Sequence, residues 1–254
     1  MHKAERQKFI VETVDQRGFI PLKELQKLLN VSMITLRRDA SELAELGLIE
    51  KTYGGLKSKK SESESEKKFN ERRKHNLQRK KRIAELALDY VQSGDTLFLD
   101  GSTTVYQFAQ LLAFSSLNLY VITTSVMTAL ELSKNPRIEI ILIGGLLRHG
   151  FFTLVGPIAE ENLKKFGVGK FFFSCRGFIP SDGTYEANML EAQSKKSMLS
   201  NSDKHILLVD FTKIGSRSII KCIDIGKIDI LITDQALEPK DLKILEKNSV
   251  KVIN

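Results

Sequence analysis

Apolar residues follow two regimes along this chain: in the first sixty positions they recur every three or four residues, and from about residue 95 they gather into short unbroken runs. Phe9, Ile10, Thr13 and Val14 share one face of a helix predicted over residues 4–17, which Gly18 ends. Phe19-Ile20-Pro21 is a short extended piece, and Leu22, Leu25, Leu28 and Leu29 mark a second amphipathic helix. Asn30-Val31 makes a tight corner before Ser32, whose hydroxyl suits the N-cap of a third helix because it accepts from an otherwise unpaired first-turn amide. Leu36, Ala40 and Leu43 lay that helix on the other two. Ile34, Arg38, Ser41 and Glu45 then fall on the outer side, with Thr35 and Arg37 on its flanks. After Gly47, LIEKTYGGLKS reads as two strands around a turn ending in Gly54-Gly55 and carrying Lys51 and Lys57.

The runs beyond residue 95 have another meaning. DTLFLDGSTT precedes a helix over 105–112, and LYVITTS precedes one over 126–133; IEIILIGG, KFFFSCRGF, HILLVDFTK and IDILITD follow. Unbroken apolar strands alternating with helices predict an α/β domain whose mostly parallel sheet is covered on both faces. With the first sixty residues the fold class is α/β: an N-terminal winged helix-turn-helix over 1–57 and a C-terminal α/β domain over 83–254. Residues 58–82 form a charged linker, beginning with an alternating Ser-Glu tract and continuing into an exposed basic helix that runs to about Tyr90.

Charge sharpens this division. The net charge of +8 lies entirely in residues 1–85, and residues 86–254 balance 18 basic against 18 acidic side chains. An excess confined to one end fits a polyanion partner for that end and a different task for the rest; a solvated basic linker is the plainer alternative. No run approaches the roughly 18 apolar residues of a membrane span, and MHKAERQKFI lacks the apolar stretch of a secretory signal, so a cytoplasmic location with no membrane contact is expected. Cys175 and Cys222 stand alone without metal-ligand spacing and read as reduced, partly buried thiols. No metal and no cofactor are expected.

The candidate chemistry has two parts. Arg37 and Arg38 stand where a helix in the major groove needs them: arginine forks onto guanine O6 and N7 or grips phosphate, while Ser32, Thr35 and the helix amides suit phosphate and Lys51, Gly54 and Gly55 form the wing. The competing reading pairs the arginines with Asp39, Glu42 or Glu45 on a solvated face. In the α/β domain, ligands bind beyond the carboxyl ends of the strands. There lie Asp100, Ser102, Thr103, Thr104, Thr123, Thr124, Gly144, Gly145, Arg148, Asp210 and Lys213. Hydroxyls and helix amides after Gly101 cradle a phosphate, Arg148 and Lys213 neutralise it, and carboxylates orient sugar hydroxyls. Each piece also has a plain reading: such turns cap helices, Gly144-Gly145 makes a turn, and Lys213 sits on the surface.

ERQKFIVETVDQRGFIPLKELQKLLNVSMITLRRDASELAELGLIEKTYGGL resembles the amino-terminal domain of DeoR-family bacterial transcription regulators, whose recognition helix follows S-x-x-T-(apolar)-R-R-D-L and whose wing ends in G-G. Met33 replaces a usual acidic residue and Ala40 a usual leucine. The resemblance continues through LDGSTTVYQFAQLL, VITTSVMTALEL, LIGGLLR, GTYEANMLEAQSKKSM and VDFTKIG, with Ser102 for glycine and Thr124 for asparagine, and it adds Glu191 to the candidate site. LSNSDKHILLVDFTKIG resembles lactose phosphotransferase system repressors within that family. The resemblance implies a sensor domain similar in fold to ribose-5-phosphate isomerase and, without catalytic residues, a repressor of a sugar-utilisation operon relieved by a phosphorylated sugar, with operator DNA as partner and a homo-oligomeric state. The alternative is a sugar-phosphate isomerase fused to a basic module, with Glu191, Asp100 and Lys213 handling protons.

Overall fold

The computed structural model describes residues 2–58 and 64–254, with side chains from 68 onward in the second stretch. Its contacts divide the chain into Met1–Ser63 and Glu64–Asn254. The Ser-Glu tract of the expected linker lies largely outside the described residues.

The first unit is built as its periodicity predicts: α1 (Lys3–Arg17), β1 (Phe19–Pro21), α2 (Leu22–Leu29), α3 (Met33–Glu45), β2 (Ile49–Thr52) and β3 (Gly55–Ser58). Ile10, Val14, Ile20, Leu25, Leu36, Leu43, Ile49 and Leu56 form its core. Asn30 ends α2 in the left-handed region at φ 50°, a conformation Asn tolerates better than most residues. β1 pairs antiparallel with β3, so the wing is a three-stranded sheet in the order β1-β3-β2.

The second unit runs α4 (Glu64–Lys74), α5 (Leu77–Leu88), β4 (Thr96–Leu99), α6 (Thr103–Ala113), β5 (Leu119–Thr123), α7 (Val126–Leu132), β6 (Ile138–Leu142), β7 (Leu146–Arg148), β8 (Thr153–Val155), α8 (Pro157–Leu163), β9 (Val168–Phe173), β10 (Gly177–Ile179), β11 (Gly183–Glu186), α9 (Met189–Ser200), β12 (Ser202–Leu208), β13 (Ile220–Asp224), β14 (Ile230–Ile232), α10 (Pro239–Lys247) and β15 (Lys251–Ile253). Seven strands form a parallel sheet in the order β15-β14-β12-β9-β4-β5-β6. Both faces are covered. Phe172 packs with α5, α6 and α7, while Phe171 and Phe173 point into the core that holds α8, α9 and α10. Fully burying one such ring contributes about 1.5–3 kcal/mol, which is why an uninterrupted Phe-Phe-Phe is stable only in a strand covered on both sides.

The exposed helix expected after the linker is corrected by this packing. α4 and α5 break at Asn76, which takes φ 54°, and Phe69, Ile83, Ala84 and Ala87 are buried against the sheet domain. Phe69 anchors α4 edge-on to Tyr106 and Phe152, with ring centroids 5.4 and 5.9 Å away. The sequence offered one signal for this: Phe69 is a large apolar side chain in an otherwise basic stretch, and it has a hydrophobic surface to reach.

Candidate DNA-reading face and ligand pocket

In α3, Ser32 caps the helix as its residue type demands, accepting from the Thr35 amide at 3.2 Å. The Thr35 hydroxyl is shared with Ser32 Oγ at 2.9 Å, so it completes the cap. Two of the three competing partners of the arginines are already engaged. Asp39 is fully buried and takes Arg6 Nε at 2.5 Å, while Glu42 accepts from Lys3 Nζ and Gln7 Nε2. Among the described residues Arg37 and Arg38 make neither ion pair nor hydrogen bond through their side chains, and both are exposed beside Ile34. Lys51 donates to Ser41 Oγ at 3.0 Å, tying the wing to the same helix. Gly54 makes the wing turn at φ 86°. Gly55 is there for packing, since a Cβ would stand 2.5 Å from the Phe19 ring and 2.6 Å from the Ile20 carbonyl.

In the sheet domain, β4 leads through β5 to β6 in one direction, and the chain then returns to β9 on the other side of β4. The order of strands reverses there, and the crevice beyond β4 and β9 holds a cavity of about 370 Å³. Asp100, Ser102, Thr103, Thr124, Glu191, Asp210 and Lys213 line it. Asp100 Oδ1 accepts from the Ser102 amide and Oδ2 from the Ser174 amide, each at 2.9 Å, which fixes the turn into α6. Gly101 allows the approach of Thr153, whose Cγ2 would lie 1.9 Å from an added Cβ. Asp210 accepts from Asn76 Nδ2 at 3.3 Å and stands 3.7 Å from Lys213 Nζ.

The structure places the remaining predicted residues elsewhere. Thr123 donates to the Leu99 carbonyl at 2.8 Å, a strand-to-strand tie. Thr104 is wholly buried, and Gly145 abuts Val155 and Ala159. Gly144, beside it, is likewise not in the lining. Arg148 reaches the site indirectly through Glu191 Oε1 at 2.5 Å, which also accepts from Thr153 Oγ1 at 3.1 Å.

Lys195 belongs to the segment whose resemblance pairs an acidic residue with following basic ones, and the lining cations Arg72, Lys80 and Arg176 escaped sequence reasoning. Lys195 Nζ is buried between Glu186 and Asp100, 3.1 Å from the latter, and donates to the Ser174 carbonyl at 2.6 Å. Burial opposes its charge, but Glu186 and Asp100 outweigh that and hold its pKa well above the ordinary lysine value. Arg72 and Lys80 come from α4 and α5, His75 and Asn76 from the turn between them, and Arg176 from the loop between β9 and β10. Arg72 stacks on Phe151, its Cζ 4.0 Å from the ring centroid, and donates to the Gly150 carbonyl; its Nε is buried without a partner. Burial, then Arg176, lowers its pKa to about 10. Lys80 donates to the carbonyls of Arg72 and His75, each at 2.6 Å, and burial with Lys213 brings its pKa down to about 8. Cys175 also lines the cavity and Cys222 lies in the core; burial pushes their thiols up to about 12 and 11, so both stay protonated at neutral pH.

An arginine-bearing winged helix joined to a polar, cation-rich crevice at a sheet switch point defines a class: a DNA-binding regulator with its own sensor domain. Residues 6–62 match the DeoR-like helix-turn-helix domain and residues 75–235 the DeoR C terminal sensor domain. The chain belongs to the DeoR family of transcriptional regulators. It is 39% identical to the uncharacterized HTH-type transcriptional regulator YulB of Bacillus subtilis over 98% of this chain and 95% of that one. To the lactose phosphotransferase system repressor of Staphylococcus aureus it is 30% identical, over 94% and 95%. Among solved structures, ribose 5 phosphate isomerase A from Neisseria gonorrhoeae shares 17% identity over 54% of each chain at a TM-score of 0.41. Among the described residues no helix is long and apolar enough to cross a membrane.

Proposed function

We propose that this regulator represses a sugar-utilisation operon in the cytoplasm and leaves its operator when a phosphorylated sugar fills the sensor pocket. One observation carries the reading: the pocket has a cationic end whose side chains lack an ion-pair partner among the described residues. Lys213 has Asp210, Arg148 has Glu191 and Lys195 has two carboxylates, but Arg72, Lys80 and Arg176 have none among the described residues. The lining carries five cations against four carboxylates, and Arg148 behind Glu191 raises the excess to two, the charge that a phosphate monoester dianion neutralises. The lowered pKa values of Arg72 and Lys80 fit this, since burial first, and then the neighbouring Arg176 and Lys213, disfavour their charged forms until an anion arrives. Asn76, Ser102, Thr124 and Asp210 supply donors and acceptors for the sugar hydroxyls.

Sensing without turnover fits this chemistry. Lys195 is held charged by its carboxylates, both oxygens of Asp100 are occupied by amides, and Glu191 is tied to Arg148 and Thr153, so none is a free base. Arg72 lies on α4, the helix that opens the sensor unit directly after the DNA-reading unit, so a ligand it grips acts on the segment through which the chain connects the two. By linkage the effector must bind the DNA-free form more tightly. Two winged units pairing across repeated half-sites require a homo-oligomer.

The test is a thermal-shift screen of the full chain against phosphorylated sugars, each beside its unphosphorylated parent. Ligand at about 100 times its dissociation constant adds about 2.7 kcal/mol of stability. A response to one phosphosugar alone is expected. Equal responses to the parent sugar would remove the phosphate from the reading. Arg38→Ala should weaken operator binding and keep the thermal response; loss of both would undo the division of labour between the two units.

A further inference from the structure

The outer face of α3 carries one apolar residue near its N-terminal end whose chemistry is not explained by phosphate or guanine contacts. Ile34 is 82% exposed, at the second position of the helix. At 100° per residue Ile34, Arg38 and Ser41 lie within about 60° of one another, and Arg37 flanks them, while Leu36, Ala40 and Leu43 lie opposite in the core. Ile34 therefore occupies the middle of the exposed face and its N-terminal end, the part of a recognition helix that meets base edges. Nothing in the helix itself calls for it: a β-branched apolar side chain favours neither the first turn nor water, where an acidic residue would complement the helix dipole, and the first turn has no acidic residue. A first turn free of carboxylates approaches phosphates without repulsion. A bare apolar group beside two arginines there has its best complement in the major groove in the C5-methyl of thymine, the one methyl that any base presents there.

We infer that Ile34 is a specificity-determining residue that packs on a thymine methyl in each half-site, next to the base pairs gripped by Arg37 and Arg38. This rests on α3 being the DNA-reading helix. The contact excludes water from two apolar groups, removes the methyl-free pyrimidine cytosine from that position, and adds no charge.

The test starts from duplexes selected out of a random library by the full-length protein. In the preferred site each thymine is replaced singly by deoxyuracil, which deletes only the methyl, and affinities are measured for wild type, Ile34→Ala and Arg38→Ala. One replacement should weaken wild-type binding about 4- to 10-fold, Ile34→Ala should lose a similar factor on the thymine site, and the two losses should not multiply when combined. A library selected with Ile34→Ala should be relaxed at that position only. If no replacement shows this coupling while Arg38→Ala still weakens binding, the Ile34 assignment is overturned and the DNA-reading role of α3 stands. If Arg38→Ala binds as wild type does, both fall.

Discussion

Replacing Lys80 by methionine probes the electrostatics on which the anion site depends. The lysine is 3% exposed, its ammonium bonds only to backbone carbonyls among the described residues, and burial, then Lys213, lowers its pKa from 10.5 to about 8, with Asp210 opposing. A lysine with a depressed folded pKa penalises the native state fully at lower pH, where both states are protonated. As pH rises past about 8 the native chain sheds a proton that the unfolded chain keeps until about 10.5, so the unfolded state binds more protons and stability rises with pH. Each pH unit in that window is about 1.4 kcal/mol. Between about pH 7 and about pH 9.5 the wild type should therefore gain about 2 kcal/mol relative to Lys80→Met. Other titrating groups cancel in the difference. Urea melts followed by circular dichroism, reading the sensor transition in both proteins, measure it. Saturating effector should erase the gain, because a bound phosphate keeps Lys80 charged. A difference that stays flat with pH would refute the claim that Lys80 is a buried cation without an ion-pair partner, and with it the main support for an anionic ligand.

Three further outcomes follow from the same contacts. Arg6→Ala strands the fully buried Asp39 without its guanidinium and should destabilise the winged unit by about 3 kcal/mol, seen as a lower midpoint when that unit's helices are followed by thermal melting. Gly101→Ala drives a methyl into Thr153 and should cost about 1–3 kcal/mol in the sensor melt, and Thr153→Ser in the same chain should recover part of it; no loss on Gly101→Ala would contradict the close approach. Lys213→Ala should leave operator affinity intact in a gel-shift assay while raising the effector concentration needed to release DNA, and unchanged release would remove Lys213 from ligand binding.

What the sequence determined by itself is local. The winged helix is legible because helix period, Ser32 as a cap, Gly18 as a stop and the Gly-Gly of the wing act over three to five residues, and the parallel sheet is legible because strands covered on both faces leave unbroken apolar runs such as Phe171-Phe172-Phe173. The pocket was legible where strand ends carry it, at Asp100, Ser102, Thr103, Thr124, Asp210 and Lys213, and at Glu191 through the family resemblance. Tertiary structure decided the rest. Arg72 and Lys80 lie in a stretch whose composition is that of a solvated basic helix; they became pocket cations because Phe69 seats α4 on α6 and the turn at Asn76 folds α5 back across the sheet. Thr123 and Gly145, equally plausible as ligand contacts, were drawn into strand ties and close packing. A charged or small side chain means one thing in water and another beneath a neighbouring helix. Which of the two applies depends on contacts between residues a hundred positions apart, and no short-range pattern records them.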